Sequence, residues 1–208
     1  MISITLLIII VTAALSIMSF ERPDRMDKMI FNAYIINRHK EWYRFISHGF
    51  IHADYPHLIV NMLTLYFFGE LVENTFVGFF GPIGKLLYIF LYLSGIAVAS
   101  LYSFNKHKNH SWYNSLGASG AVSAVLYAAI LINPMMGIYM FFIPIPIPGI
   151  IYGVLYLVYS SYMSKRAQDN IGHDAHFYGA VYGFLLPILF KPALLGHFIM
   201  EIRYAIGL

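Results

Sequence analysis

The sequence contains no cysteine among its 208 residues, so it forms no disulfide and offers no thiolate ligand to a metal. Charged residues are also scarce, at 11 % of the chain, whereas a soluble domain usually carries about 25 %. The formal net charge of +3 is too small to indicate a nucleic-acid partner. These shortages exclude a water-exposed surface of the ordinary kind and favour a protein that lies in a membrane.

Hydrophobic residues make up 59 % of the chain and fall in runs over its whole length. An α-helix needs about 20 consecutive apolar residues to cross the hydrocarbon layer. The runs predict six spanning helices, at 2–20, 57–76, 83–104, 117–132, 149–163 and 175–195. We therefore expect an all-α, polytopic bundle of six transmembrane helices that forms one membrane domain over residues 1–208. The first run lacks the flanks of a cleaved signal peptide, so we expect it to be retained.

The connection 21–56 is long and amphipathic, with Trp42, Tyr43 and Phe45 among its charged residues. Tryptophan and tyrosine prefer the boundary between membrane and water. This connection is therefore predicted to lie on or partly in the bilayer.

Strongly polar side chains inside predicted membrane helices usually mark function, because they are costly in hydrocarbon. His57 and Asn61 lie near the start of the second helix, Ser119 near the start of the fourth, and His176 near the start of the sixth. Alternate helices of such a chain run in the same direction, so these three helices all begin at one side, called here the active face. We expect the polar groups to meet there.

Small residues predict which helices touch. Gly179 and Gly183 form one such face on the sixth helix, and Gly120 begins a second on the fourth, continued by alanines at 124 and 128. Small faces let two helix backbones approach closely. We expect these glycines to be packing positions that bring the fourth and sixth helices together.

Close approach of these helices favours a hydrogen bond between Ser119 and His176. A serine hydroxyl is a weak nucleophile until a neighbouring base takes its proton, and histidine has the pKa range for that role. Hydrolysis of an amide also needs donors for the developing oxyanion. The backbone N–H of Ser119 and the side chains of His57 and Asn61 are the candidates.

Three motifs in this order resemble those of the rhomboid intramembrane serine proteases. They read His57-x-x-x-Asn61, Gly117-Ala118-Ser119-Gly120 and Ala175-His176-x-x-Gly179-x-x-x-Gly183. Weaker similarities are Trp42-Tyr43-Arg44, the additional histidine His52, and the pair Gly69 and Glu73. The resemblance covers most of the chain.

The resemblance implies the six-helix rhomboid fold and a catalytic dyad of Ser119 and His176 without a third acidic member. It implies stabilisation of the transition state by His57, Asn61 and the Ser119 backbone, with no metal and no cofactor. The implied activity is that of a serine endopeptidase, a hydrolase that performs intramembrane proteolysis. Its partners would be transmembrane protein substrates and the lipid bilayer. In the family, the fifth helix and the segment that follows it, here 149–163 and 164–174, act as a gate.

The sequence departs from the family pattern at position 123. Rhomboid proteases commonly carry an aromatic residue four positions after the nucleophile, and that ring packs on the catalytic histidine. This chain has Ser123 there. Tyr127 and Tyr178 are the candidate replacements.

Orientation is predicted differently by charge and by family. Ten of the thirteen lysines and arginines fall on the predicted active face, which by the positive-inside rule would be cytoplasmic. Six of these ten lie in the connection 21–56, which weakens the rule if that segment rests in the interface. The resemblance implies the opposite orientation, and we expect an active face directed away from the cytoplasm, in the plasma membrane.

Other interpretations remain open. A transporter could use His57, Asn61 and His176 as an ion relay, although no repeat of broken helices is visible. A rhomboid-like protein could bind membrane helices without cleaving them. A histidine metal site is disfavoured by the lack of cysteine. Of the other histidines, we expect His48 and His52 to bond loop backbone and His173 to be solvated in a loop.

Overall fold

The computed structural model describes residues 3–139, 144–166 and 172–207, and the described chain is almost entirely α-helical. Ten α-helices occur in these residues: α1 Ile4–Phe20, α2 Pro23–Met29, α3 Ala33–His39, α4 Arg44–Ser47, α5 Tyr55–Phe80, α6 Ile83–His107, α7 Ser119–Ile132, α8 Gly149–Arg166, α9 His173–Phe190 and α10 Ala193–Ala205. A 3-10 turn follows α4 at His48–Phe50. Strands β1, Gly137–Ile138, and β2, Ile147–Pro148, pair antiparallel between α7 and α8. The all-α fold class is confirmed.

The predicted helices differ from these at their ends. The sixth was expected over 175–195, but α9 ends at Phe190, and α10 leaves it at an angle of 115°. A residue that precedes proline is disfavoured in the helical conformation. Lys191, which precedes Pro192, accordingly has φ −146° and ψ 88° and ends α9. The connection 21–56 also contains three short helices and the 3-10 turn, where the sequence indicated only an amphipathic segment.

Helix α7 lies at the centre of the bundle. Every residue from Gly120 to Leu131 is buried, and α5, α6, α8, α9 and α10 all pack against it. The apolar side chains of α7 are mostly alanine and valine in its first half, so neighbouring helices approach it closely there. The active-face end of α7 is therefore closely packed by its neighbours.

The outward faces of the long helices expose large apolar side chains. Examples on α5, α6 and α8 are Phe67, Leu86 and Val158, each more than 60 % exposed. Continuous exposed apolar surface is characteristic of contact with lipid or protein. Within the described residues, α6 is long and apolar enough to span a membrane, and α9 with α10 passes the same test only as one bent pair; α1 and α7 are shorter apolar helices. Six spans therefore remain a prediction.

Two side chains fix where α1 and α5 begin. Glu73 of α5 is buried and accepts hydrogen bonds from the backbone N–H groups of Ile4 and Thr5, both at 2.9 Å. It therefore satisfies donors that the start of a helix leaves unpaired. Asp54 caps α5 by accepting from the N–H of His57 at 2.8 Å. This cap places His57 in the first turn of α5, at the active face.

Candidate active site

Ser119 is the first residue of α7 and is half-buried. The first N–H groups of a helix have no intrahelical partner and carry partial positive charge, which suits them to an oxyanion. Gly117, two residues earlier, has φ +118°, a conformation that side chains other than glycine rarely adopt. The turn that presents Ser119 therefore depends on a glycine at this position.

Two histidines hold the backbone of this turn. The N–H of Gly117 donates to the carbonyl of His48 at 3.0 Å, and the N–H of Ala118 donates to Nε2 of His52 at 3.2 Å. Because Nε2 of His52 accepts, the proton of the neutral ring is on Nδ1, which lies 2.9 Å from Oγ of Ser16. Burial lowers the pKa of His52 to about 3, in agreement with a ring that must stay neutral to accept this bond.

His48 is buried beneath the same turn. Its Nδ1 donates to the carbonyl of Arg44 at 2.7 Å, and its Nε2 lies 3.1 Å from the hydroxyl of Ser100. Burial lowers the pKa of His48 to about 4. The expectation that His48 and His52 bond loop backbone is confirmed.

His57 lies directly against the turn before Ser119. A Cβ added to Gly117 would meet Cε1 of the His57 ring at 2.7 Å and Nε2 at 2.9 Å. Asn61 is buried one turn further along α5, and its Nδ2 donates to the carbonyl of His57 at 2.9 Å. The start of α5 therefore meets the start of α7, with His57 beside the nucleophile candidate.

The start of α9 meets α7 from another side. A Cβ added to Gly179 would lie 2.2 Å from the carbonyl oxygen of Gly120, and one added to Gly183 would lie 2.0 Å from that of Ala124. One added to Gly120 would lie 3.6 Å from the carbonyl oxygen of Ala175. The residue after Ser119 therefore lies beside the residue before His176.

A tyrosine of α8, absent from the sequence-based candidates, packs on His176. The ring of Tyr156 is stacked on the imidazole, with centroids 6.1 Å apart and planes at 23°. Its hydroxyl lies 2.7 Å from the hydroxyl of Ser123. Of the two expected replacements, Tyr178 stacks on Tyr102 and Tyr127 donates to the carbonyl of Gly153. The one available signal was Ser123 itself, which indicated that the usual ring was missing.

His173 was expected to be solvated, and this was wrong. It is the first residue of α9 and is 4 % exposed. Its ring meets those of Tyr159 and His176 edge to face, with centroids 5.5 and 5.8 Å away. The difference arises because α9 begins two residues before the predicted start and a tyrosine of α8 lies against the ring. The expected gate segment 164–174 lies partly outside the described residues, at 167–171.

The site contains a hydroxyl, imidazole groups and backbone N–H donors, which are the groups that acyl transfer without a metal requires. In the described part of the chain, no group of three or more histidine or acidic side chains is placed to hold a metal ion.

Comparison with known proteins agrees with these motifs. The Rhomboid domain family matches residues 39–193. Rhomboid-like protein 12, mitochondrial, of Arabidopsis thaliana is 29 % identical over 65 % of this chain and 42 % of its own length. Rhomboid-like protein 11, chloroplastic, of the same plant is 33 % identical over 48 % of this chain and 32 % of its own. Rhomboid protease GlpG of Haemophilus influenzae is 26 % identical over 78 % of this chain and 76 % of its own.

The chain thus spans less than half the length of the two plant relatives. Their names place them in mitochondria and chloroplasts, so the comparisons do not support the expected plasma membrane. The family match covers most of the residues described above, including all three motifs. This chain is an integral membrane protein that belongs to the rhomboid family.

Proposed function

We propose that the chain is an intramembrane serine endopeptidase that hydrolyses peptide bonds in or near the transmembrane segments of other membrane proteins. Ser119 is the nucleophile and His176 the general base. His57, Asn61 and the N–H of Ser119 stabilise the oxyanion. The relative named a protease, GlpG, supports this reading.

The proposal is supported chiefly by the backbone contact between α7 and α9. Gly120 follows Ser119, Ala175 precedes His176, and the two neighbours lie against each other. Ser119 and Ser123 are one turn apart on α7 and so share a face of that helix. Ser123 contacts Tyr156, whose ring stacks on His176. The backbone contact and the chain of side-chain contacts both connect the surroundings of Ser119 with those of His176.

The proposed reaction proceeds in two steps. Oγ of Ser119 forms a bond to the scissile carbonyl carbon while its proton passes to His176, and the carbonyl oxygen becomes an oxyanion. The carbon–nitrogen bond then breaks, and His176 gives the proton to the leaving amine. His176 then deprotonates a water molecule, whose oxygen attacks the acyl carbon; the ester bond to Oγ breaks, and His176 returns the proton to Ser119 as the second product leaves. His57 lies beside the Gly117 turn, where a donor to the oxyanion is needed.

The test is labelling of the detergent-purified chain with a fluorophosphonate, a probe that reacts with activated serines. The wild type should be labelled and should cleave a single-span membrane protein in liposomes. Ser119→Ala and His176→Ala should lose both activities while keeping the wild-type unfolding temperature. Ser111→Ala, which removes an exposed serine of the α6–α7 connection, is the matched control and should keep both.

Cleavage retained by Ser119→Ala would remove the nucleophile assignment. A folded wild type that neither reacts with the probe nor cleaves, yet still binds a single-span protein, would establish a non-catalytic rhomboid-like protein instead.

A further inference from the structure

Helix α8 supplies the ring that packs on the proposed base. Tyr156 is half-buried, and its ring is stacked on the imidazole of His176. On its other sides, the ring lies against Tyr127 of α7 and Tyr152 of α8, with centroids 6.0 and 5.9 Å away. The tyrosine is therefore held in place by neighbours from two helices.

The hydroxyl of Tyr156 ties this ring to the helix of the nucleophile. It lies 2.7 Å from Oγ of Ser123, which is four residues after Ser119 and on the same face of α7. A neutral hydrogen bond of this kind contributes modestly, but it has a direction and fixes where the tyrosine points. Tyr156 thus contacts both the face of α7 that carries Ser119 and the imidazole of His176 on α9.

We propose that Tyr156, anchored by Ser123, is a positioning residue that holds the imidazole of His176 at the angle needed to accept the proton of Ser119. This inference rests on the proposed function and adds to it. The stack limits rotation of the imidazole, as offset aromatic pairs do. Ser123 therefore holds the aromatic ring through a hydrogen bond, whereas in the family pattern the residue at this position carries the ring.

The placement on α8 has a consequence for control of the reaction. Besides Tyr156, α8 is attached near the active face by the contact of Ser164 with Asp174 of α9. A movement of α8 away from α7 would withdraw the ring from His176.

The proposal separates the roles of the ring and the hydroxyl. Tyr156→Ala and the volume-keeping Tyr156→Leu both remove the flat ring, and kcat should fall roughly 100-fold, the loss typical of reacting groups misplaced by about 1 Å. KM should stay unchanged, because the proposed role of Tyr156 concerns proton transfer by the imidazole and not substrate binding. Tyr156→Phe keeps the ring and loses one hydrogen bond, so it should lose less than about tenfold. Tyr162→Ala, an exposed tyrosine of the same helix, is the matched control.

A double-variant cycle tests the anchor. Ser123→Ala and Tyr156→Phe remove the same hydrogen bond, so the double variant should be no slower than the slower single variant. If the rate losses of the two single variants multiply in the double variant, Ser123 acts independently of Tyr156, and its role as the anchor of the ring is refuted.

The same labelling experiment distinguishes the two levels of inference. If the wild type is not labelled, the proposed function fails. If the wild type is labelled and Ser119→Ala is not, but folded Tyr156→Leu reacts as fast as the wild type, the positioning role alone is refuted. A Tyr156→Phe variant as slow as Tyr156→Leu would also refute it, because the ring would then not be the group that matters.

Discussion

Gly179→Ala should slow the proposed reaction by separating α7 from α9. The added Cβ would lie 2.2 Å from the carbonyl oxygen of Gly120, whereas ordinary contact begins at 3.4 Å. The two helices would have to part by about 1.2 Å at this point. The three nearest atoms all belong to the backbone of Gly120, so no flexible side chain can absorb the shift. Overpacking of this kind costs about 1–3 kcal/mol of stability.

The substitution should slow the reaction even in a protein that still folds. Gly179 is one turn from His176, and its contact is one residue from Ser119, so the separation falls between the proposed base and nucleophile. A misplacement of about 1 Å between reacting groups costs on the order of 100-fold in rate. We therefore expect fluorophosphonate labelling of Gly179→Ala to be slower by about that factor, in a protein that still folds.

Gly78→Ala is the matched control. Gly78 lies in α5, is exposed, and has nothing within 4 Å of the position where a Cβ would be added. Alanine there should leave the rate of labelling unchanged and raise the stability of the helix by about 0.5–1 kcal/mol. Unfolding temperatures in detergent measure folding for both variants. If Gly179→Ala is labelled as fast as Gly78→Ala, the contact between α7 and α9 does not set the geometry of the dyad.

Three further predictions concern the scaffold and the orientation. Glu73→Gln should destabilise the fold by about 1–3 kcal/mol, because the two N–H groups at the start of α1 bond different carboxylate oxygens and an amide nitrogen in place of one oxygen cannot accept. Glu70→Gln, measured by the same detergent unfolding, should be neutral. His48 and His52 are neutral in the folded protein, so their contribution to the free energy of unfolding is complete above about pH 6.5. As the pH falls toward 4, the unfolded chain takes up protons that the folded rings do not, and this contribution should decrease by up to about 1.4 kcal/mol per pH unit for each ring. In His52→Gln the slope of the unfolding free energy against pH should become smaller by up to about 1.4 kcal/mol per pH unit, and an unchanged slope would contradict the assignment. A single cysteine at the exposed Asn109→Cys should react with a membrane-impermeant reagent from outside the cytoplasm, and protection there would reverse the orientation.

Much of the site could be predicted because its signals are local or periodic. Ser119 follows a glycine that the turn requires, and this turn leads into a small-residue face that can meet the face of Gly179. Alternation of helix direction then brings His57 to the same end without any knowledge of side-chain contacts. The direction of the helices and the spacing of their residues suffice for this, and the hydropathy pattern supplies both.

The rest depends on tilt and rotation, which hydropathy does not set. Tyr156 was missed because α8 carries tyrosines at 152, 156, 159 and 162, and the sequence does not say which of them faces α9. His173 was misplaced for the same reason, since its burial depends on Tyr159 from α8. Pro192 indicated where α9 ends, but apolar residues lie on both sides of it, so the hydropathy pattern predicted one continuous helix across the bend.

The departure at position 123 and the stack on His176 have a joint explanation. A ring on α7 would move with the proposed nucleophile and would keep the proposed base in place wherever α8 lay. With serine on α7 and the ring on α8, the orientation of His176 depends on a helix that makes few other polar contacts with α7 among the described residues. If the proposed dyad is the active one, its activity should respond to the position of α8. Because the hydroxyl of Tyr156 lies 2.7 Å from Oγ of Ser123, a large ring at position 123 would collide with Tyr156, so the two arrangements exclude each other.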